Sequence, residues 1–189
     1  MSDVSLISLF VRPLNELHIP YMVSGGVASV VYGEPRFTRD IDLVIALKPT
    51  DAARFAAAWP ATDFYVPPVE VIEEESKRPA SGHFNVIHHD TTMRADIYLA
   101  GNDVLNAWAF EHRIVRQVDD DAVFLAPIEA VMLSKLRYYQ IGGSDRHLRD
   151  IHQMLRISGS LVDRPALERW AARLGVEHEW QLAQDYQET

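Results

Sequence analysis

The stretch RDIDLVIAL at residues 39–47 constrains the fold more than any other part of the chain. It is β-branched, has the length of one strand, and is apolar enough to lie inside a sheet. Side chains alternate along a strand, so Asp40 and Asp42 share one face while Ile41 and Leu43 point to the other. Two neighbouring carboxylates repel each other and are costly to remove from water. Either they sit on a solvated edge strand, or an opposite charge offsets them, and a hard divalent cation with oxygen ligands is the simplest such group. The run LVIAL directly after Asp42 favours the interior position.

Around that strand the patterns are mixed. Leu6, Leu9, Phe10, Leu14 and Leu17 recur at helical spacing and predict an N-terminal helix, capped by Asp3 and stopped by Pro20. Residues 21–24 read as a short strand; Gly25-Gly26 breaks the chain, and VASVVY after it reads as a short helix. Thr50-Asp51 caps an Ala-rich helix that Pro60 ends. VEVIEEESKR fits either a strand running into an acidic turn or an amphipathic helix. HFNVIHH and MRADIYLA predict a hairpin turning near Asp90-Thr91. A helix follows around residues 104–111, and RIVRQV and AVFLA flank a turn at Asp119-Asp120-Asp121. From Pro127 onward the patterns are helical only. The expected class is α+β: a mixed-sheet core over residues 1–126, then a helical C-terminal subdomain over residues 127–189.

Composition narrows the chemistry. The 189 residues include no cysteine, which excludes disulfide scaffolds, zinc ribbons, Fe–S clusters and thiol catalysis. Eighteen Lys+Arg against 27 Asp+Glu leave a net charge of −9. That balance argues against coating a nucleic-acid backbone, and is compatible with a local basic pocket for a phosphorylated ligand. No apolar run approaches the ~18–20 residues of a membrane span, and the first residues carry an early acid and no basic n-region. A soluble, cytoplasmic protein is expected.

Two further features stand beside Asp40 and Asp42. Ser24-Gly25-Gly26 lies between a strand and a helix. Glycines there let backbone N–H groups approach an anion, and the helix N-terminus adds a partial positive charge, although a plain turn reads the same way. Asp96 lies in RADIYL, where alternation puts Arg94, Asp96 and Tyr98 on one face. Thirteen residues, 27 to 39, separate Gly26 from Asp40, enough for a short helix and a returning strand. The glycine turn and the paired acids are thereby expected at one end of a sheet.

In this arrangement the chain resembles the DNA polymerase β-like nucleotidyltransferase superfamily, whose pattern is Gly-Gly or Gly-Ser after an apolar residue, then Asp-x-Asp, then a third acid. The matching residues are Gly25, Gly26, Asp40, Asp42 and Asp96, the last preferred over Asp63, Asp90 and Asp103 for its strand setting. The wording GEPRFTRDIDLVI is especially similar to the bacterial minimal and abortive-infection-type members. The resemblance implies Mg²⁺-dependent transfer of an NMP from an NTP, ATP among the candidates, to a hydroxyl of a protein, a tRNA or a small molecule. It also implies a toxin–antitoxin or phage-defence setting, with a cognate antitoxin or toxin protein as partner. Ser24, Gly25 and Gly26 would hold the triphosphate, Asp40 and Asp42 would bind Mg²⁺, and Asp96 would complete a second metal site and help deprotonate the acceptor. Lys135, on a mostly apolar stretch before YQIGGSDRHLRDI, matches a lysine that faces the nucleotide in the abortive-infection group; a snorkelling surface lysine has the same pattern. Arg39, with Arg36 and Thr38, precedes the acids and suits either a phosphate or a salt bridge to nearby carboxylates.

Two other readings stand beside this one. The same fold could serve as a catalytically inactive nucleotide-binding or protein-interaction module, and a D-x-D glycosyltransferase would also use Mg²⁺ but has no use for Gly25-Gly26. His83, His88 and His89 read as a polar hairpin end, because adjacent strand residues point to opposite faces and no ligand partner sits at zinc spacing. Asp145 and Asp150 with Arg146 and Arg149 read as intrahelical pairs.

Overall fold

The computed structural model describes residues 5–187 apart from residue 36, so the expected cap at Asp3 and the side chain of Arg36 lie outside the described residues. The described residues pack as two compact units. One takes in the chain up to Gly26 together with Thr38–Ala126; the other takes in Val27–Phe37 together with the chain from Pro127 onward. No described helix is long and apolar enough to cross a membrane.

The first unit is built on a mixed sheet of β1 (Tyr21–Ser24), β2 (Asp40–Ile45), β3 (Phe64–Tyr65), β4 (His83–His88), β5 (Arg94–Leu99), β6 (Ile114–Val118) and β7 (Asp121–Leu125). Their order is β3-β4-β5-β2-β1-β7-β6. β2 pairs parallel with β5 and antiparallel with β1, so the acid-bearing strand is interior and the edge-strand alternative falls. One face of the sheet is core: Ile41, Leu43, Ile45, Val86, Ala95 and Ile97 are all fully buried. Phe55 meets Phe84 edge-on there, with Trp59 tilted against it. The Trp59 indole also donates to the Leu9 carbonyl at 2.9 Å, tying down the N-terminal helical segment.

The helices before Ala126 are α1 (Arg12–Glu16), which continues a π-helical turn at Ile7–Val11, then α2 (Gly25–Tyr32), which from Val27 on belongs to the second unit, α3 (Ala52–Ala57), α4 (Val69–Lys77) and α5 (Val104–Glu111). Three local details differ from the sequence expectations, and one open alternative is resolved. α2 begins at Gly25 itself rather than after the glycines. Asp51 does not cap α3 with its side chain, because its carboxylate takes an ion pair from Arg54 at 2.9 Å. The ambiguous acidic stretch is helix α4: Ile72 faces the core, while Glu73–Lys77 and Glu75–Arg78 pairs lie at helical spacing outside. Asp121 is not part of the turn but opens β7, buried against Arg12 at 2.8 Å.

The second unit is helical: α6 (Ile128–Gly142), α7 (Asp145–Ser158), α8 (Arg164–Leu174) and α9 (Glu177–Gln184). α6 buries a nearly continuous run from Ile128 to Leu133 and ends on Gly143 at φ 65°, a left-handed cap that suits glycine. Leu148, Ile151 and Met154 give α7 its apolar stripe. Asp163 caps α8, accepting from Ala166 N, while its own N–H donates to the Glu129 carboxylate at 2.8 Å. Glu34, from the segment Val27–Phe37, pairs with Arg156 and accepts from Gln153.

Candidate active site

On the face of the sheet opposite the core, the polar residues are arranged in a row. Antiparallel pairing sets Ser24 opposite Asp42, parallel pairing sets Asp42 opposite Asp96, and the β4–β5 hairpin sets Asp96 opposite Asn85. Four consecutive strands thus contribute one polar side chain each to a line across the sheet. Neighbouring strands lie about 4.8 Å apart, so the line is compact. The expectation that three distant aspartates share one site therefore has a concrete geometric basis in the parallel β2–β5 register. Asp40 sits two residues before Asp42 on the same face, opposite Arg94.

Each acid is held differently. Asp42 Oδ2 accepts the Gly26 backbone N–H at 2.8 Å. Gly25 makes this possible: its φ is +51°, and a Cβ there would fall 2.1 Å from Asp42 Oδ2. The glycine turn thus cradles an anion, and in this structure the anion is the carboxylate of Asp42. Asp40 is half exposed, with Thr38 Oγ1 bracing its backbone at the start of β2. Asp96 is largely buried. Burial pushes its carboxyl above the ordinary carboxylate range; Arg94 draws it back down, Asp42 and Asp40 push it further up, and His83 lowers it.

Arg94 supplies the positive charge. Its guanidinium donates to Asp96 Oδ2 at 3.0 Å, approaches Asp96 Oδ1 at 3.0 Å without hydrogen-bond geometry, and reaches Asp40 Oδ2 at 3.5 Å. On the other side, Asn85, with its amide turned so that the NH₂ faces acceptors, donates to Asp96 Oδ1 at 2.8 Å and to His83 Nε2 at 3.2 Å. His83 Nε2 itself lies 4.0 Å from Asp96 Oδ1, and its ring packs against Tyr98. Asn85, His83 and the role of Arg94 were missed by reading the sequence. Alternation placed Arg94 on the right face, but only the strand register says which carboxylates it meets.

The donor set tests whether a divalent ion belongs here. Three carboxylates offer hard oxygen ligands, two of them in direct register, and the row already attracts a guanidinium as a stand-in charge. Among the described residues no three side chains stand ready as a metal cluster, and Arg94 lies between Asp40 and Asp96. In chemistry the residues fit a cation; in this arrangement the place is taken by an arginine.

Arg39 is exposed in the bend before β2, and its carbonyl accepts from Arg94 N at 3.0 Å. Lys135 belongs to the second unit, where it is buried in α6 and bonded to Asp150 of α7 at 2.6 Å. That pair joins two helices, whereas the sequence suggested pairing within one. His147, beside them on α7, has its pKa lowered by burial and then by Lys135. His88 bonds Thr91 at 2.9 Å and closes the hairpin, as a polar hairpin end should. A cleft of about 310 Å³ lies at the far ends of β2 and β5, lined by Leu47, Lys77, Arg78, Leu99 and Asn102, and includes none of the acids.

Comparison with known proteins bears directly on this geometry. The sequence profile of the family described as "Nucleotidyl transferase AbiEii toxin, Type IV TA system" matches residues 8–185. No curated protein gives a match. Among solved structures, an antigenic nucleotidyltransferase-like protein from Paracoccidioides brasiliensis aligns over 95% of this chain and 89% of its own, at 18% identity and a TM-score of 0.53. ANT(2'')-Ia in complex with adenylyl-2''-tobramycin aligns over 94% of this chain and 99% of its own, at 16% identity and a TM-score of 0.59. At such identities the two structures establish a shared fold, in keeping with the mixed sheet and its flanking helices. The family match carries more: the chain belongs to the AbiEii nucleotidyl transferase toxin family of type IV toxin–antitoxin systems and is, by that membership, a nucleotidyltransferase.

Proposed function

We propose that the protein moves an NMP from an NTP to a hydroxyl of an acceptor that is a protein side chain, a tRNA or a small molecule, with Mg²⁺ as cofactor. Asp40, Asp42 and Asp96 are the residues that would hold the metal. The setting is a toxin–antitoxin or phage-defence system with a cognate protein partner. What carries the reading is the in-register row of Asp42 and Asp96, with Asp40 beside it, in a chain of this family. Bound there, the cation would neutralise charge on the attacking and leaving oxygens of an in-line displacement.

The residues of the chain divide the remaining work. Gly25 and Gly26 let the turn come close to Asp42 and fix the orientation of its carboxylate. Asp96 takes the proton of the acceptor hydroxyl on a carboxylate oxygen. Asn85 orients that carboxylate through Oδ1. Ser24, Arg39 and Lys135 are proposed as nucleotide-binding residues, with residues 1–126 as the nucleotidyltransferase core and residues 127–189 as the helical subdomain.

The test uses each labelled NTP in turn with Mg²⁺ and host lysate. One lysate component is expected to acquire label with the wild type. Asp42→Asn keeps an oxygen for Gly26 N–H but loses the charge, and is expected to cut transfer at least about a hundredfold, the scale on which a charged group at a phosphoryl-transfer centre is felt. Its melting temperature should stay close to that of the wild type. Undiminished labelling by a folded Asp42→Asn protein overturns the proposal.

A further inference from the structure

Arg94 is tied into the carboxylate row more fully than a surface ion pair needs to be. Its fork faces both oxygens of Asp96 and extends across to Asp40 on the neighbouring strand. A cation bridging Asp40 and Asp96 would need the space that Arg94 Nη2 now fills, 3.0 Å from Asp96 Oδ2 and 3.5 Å from Asp40 Oδ2. The guanidinium and a bridging cation therefore compete for the same place. Arg94 has room to swing out: its side chain is 39% exposed, on a long flexible stem, whereas Asp96 is only 14% exposed.

From this geometry we propose that Arg94 is a built-in competitor of the catalytic cation: it neutralises Asp40 and Asp96 while the site is metal-free and is exchanged, ion for ion, when a divalent cation enters. The inference rests on the reading of Asp40, Asp42 and Asp96 as metal ligands. It makes Arg94 a positioning residue that sets metal affinity without touching the reacting atoms. It also predicts a trade: removing the arginine tightens cation binding and loosens the metal-free fold, because Asp40 and Asp96 then lack their internal partner.

The experiment is a Mn²⁺ titration of the full chain without nucleotide, followed by the paramagnetic signal of the free ion, with melting curves in chelator and in Mn²⁺. Arg94→Gln is expected to bind Mn²⁺ on the order of tenfold more tightly than the wild type, a modest share of one unit charge removed from a half-exposed site. It should melt lower in chelator and gain more from Mn²⁺. Arg94→Lys keeps the charge but not the fork, and is expected to fall between the two; it carries the test if Arg94→Gln does not fold. Affinity equal to or weaker than the wild type in a folded Arg94 variant overturns the proposal, provided Asp42→Asn still weakens Mn²⁺ binding. If Asp42→Asn leaves Mn²⁺ affinity unchanged in every background, the metal-site reading fails and this inference fails with it.

Discussion

Gly25 shows how narrowly the site is drawn at the scale of single residues. Its left-handed φ and the 2.1 Å gap that a Cβ would leave to Asp42 Oδ2 both demand glycine. Gly25→Ala is expected to cost about 1–2 kcal/mol of stability from the backbone alone, and to reduce transfer more severely by pushing the Asp42 carboxylate away. Chemical denaturation alongside a transfer assay checks both; wild-type transfer would show that the close approach is dispensable. Asp96 gives a pH prediction. Its folded pKa is raised above the ordinary 3.8, chiefly by burial, so the folded state holds that proton more tightly than the unfolded chain does. Stability credited to Asp96 is full below the ordinary value and is lost as pH rises through the raised one. In chelator the Asp96 carboxyl is expected to titrate above an unperturbed aspartate, and Arg94→Gln to raise it further; carboxyl NMR checks both, and titration at the ordinary value would refute the assignment. The three aspartates were legible in the sequence because strand alternation fixes their face. The fork of Arg94 and the amide of Asn85 were not, because which strand lies beside which is a long-range fact.

At the scale of elements, the clearest case is the pairing of α6 and α7 through Lys135 and Asp150, whose side chains are nearly inaccessible. Breaking a buried pair strands one charge, so Asp150→Ala is expected to cost about 3–5 kcal/mol, whereas Lys135→Met with Asp150→Leu should recover most of it. Urea unfolding of the two variants decides this; equal losses in both would show that the charges themselves are not at issue. Helix starts and strand runs were mostly readable, since β-branched runs, apolar spacing and the Pro and Gly stops agree with one another across β2, α5, α6 and α8. α4 stayed open between strand and helix because its only buried residue is Ile72, and one buried anchor among four glutamates carries no period. The start of α2 was misjudged because Gly25 and Gly26 normally end structure; here they open a helix against a carboxylate.

For the molecule as a whole, net charge is the property the sequence states most directly. At −9, long-range forces oppose association with a polyanion. Generic duplex DNA is expected to show no retardation with the protein at about 0.15 M salt, where exposed charges are already screened within roughly 8 Å. A tight, salt-sensitive shift would mean that a basic surface outweighs the total. The α+β class was likewise legible, because strands crowd the first two-thirds of the chain and helices the remainder. No local pattern signals that Val27–Phe37 packs with the C-terminal helices; the ties of Glu34 to Gln153 and Arg156 span more than a hundred residues and leave no periodic trace.

The line of Ser24, Asp42, Asp96 and Asn85 has one more implication. It spans three strand interfaces, one of them parallel, and every member depends on its neighbour's alignment. Sliding any one strand by a single position would turn its contribution toward the greasy side and bring a hydrocarbon into its place. A misthreaded sheet could keep much of its helix content and bulk, yet it would be chemically silent. The acid row and the correct threading of the sheet therefore arrive together.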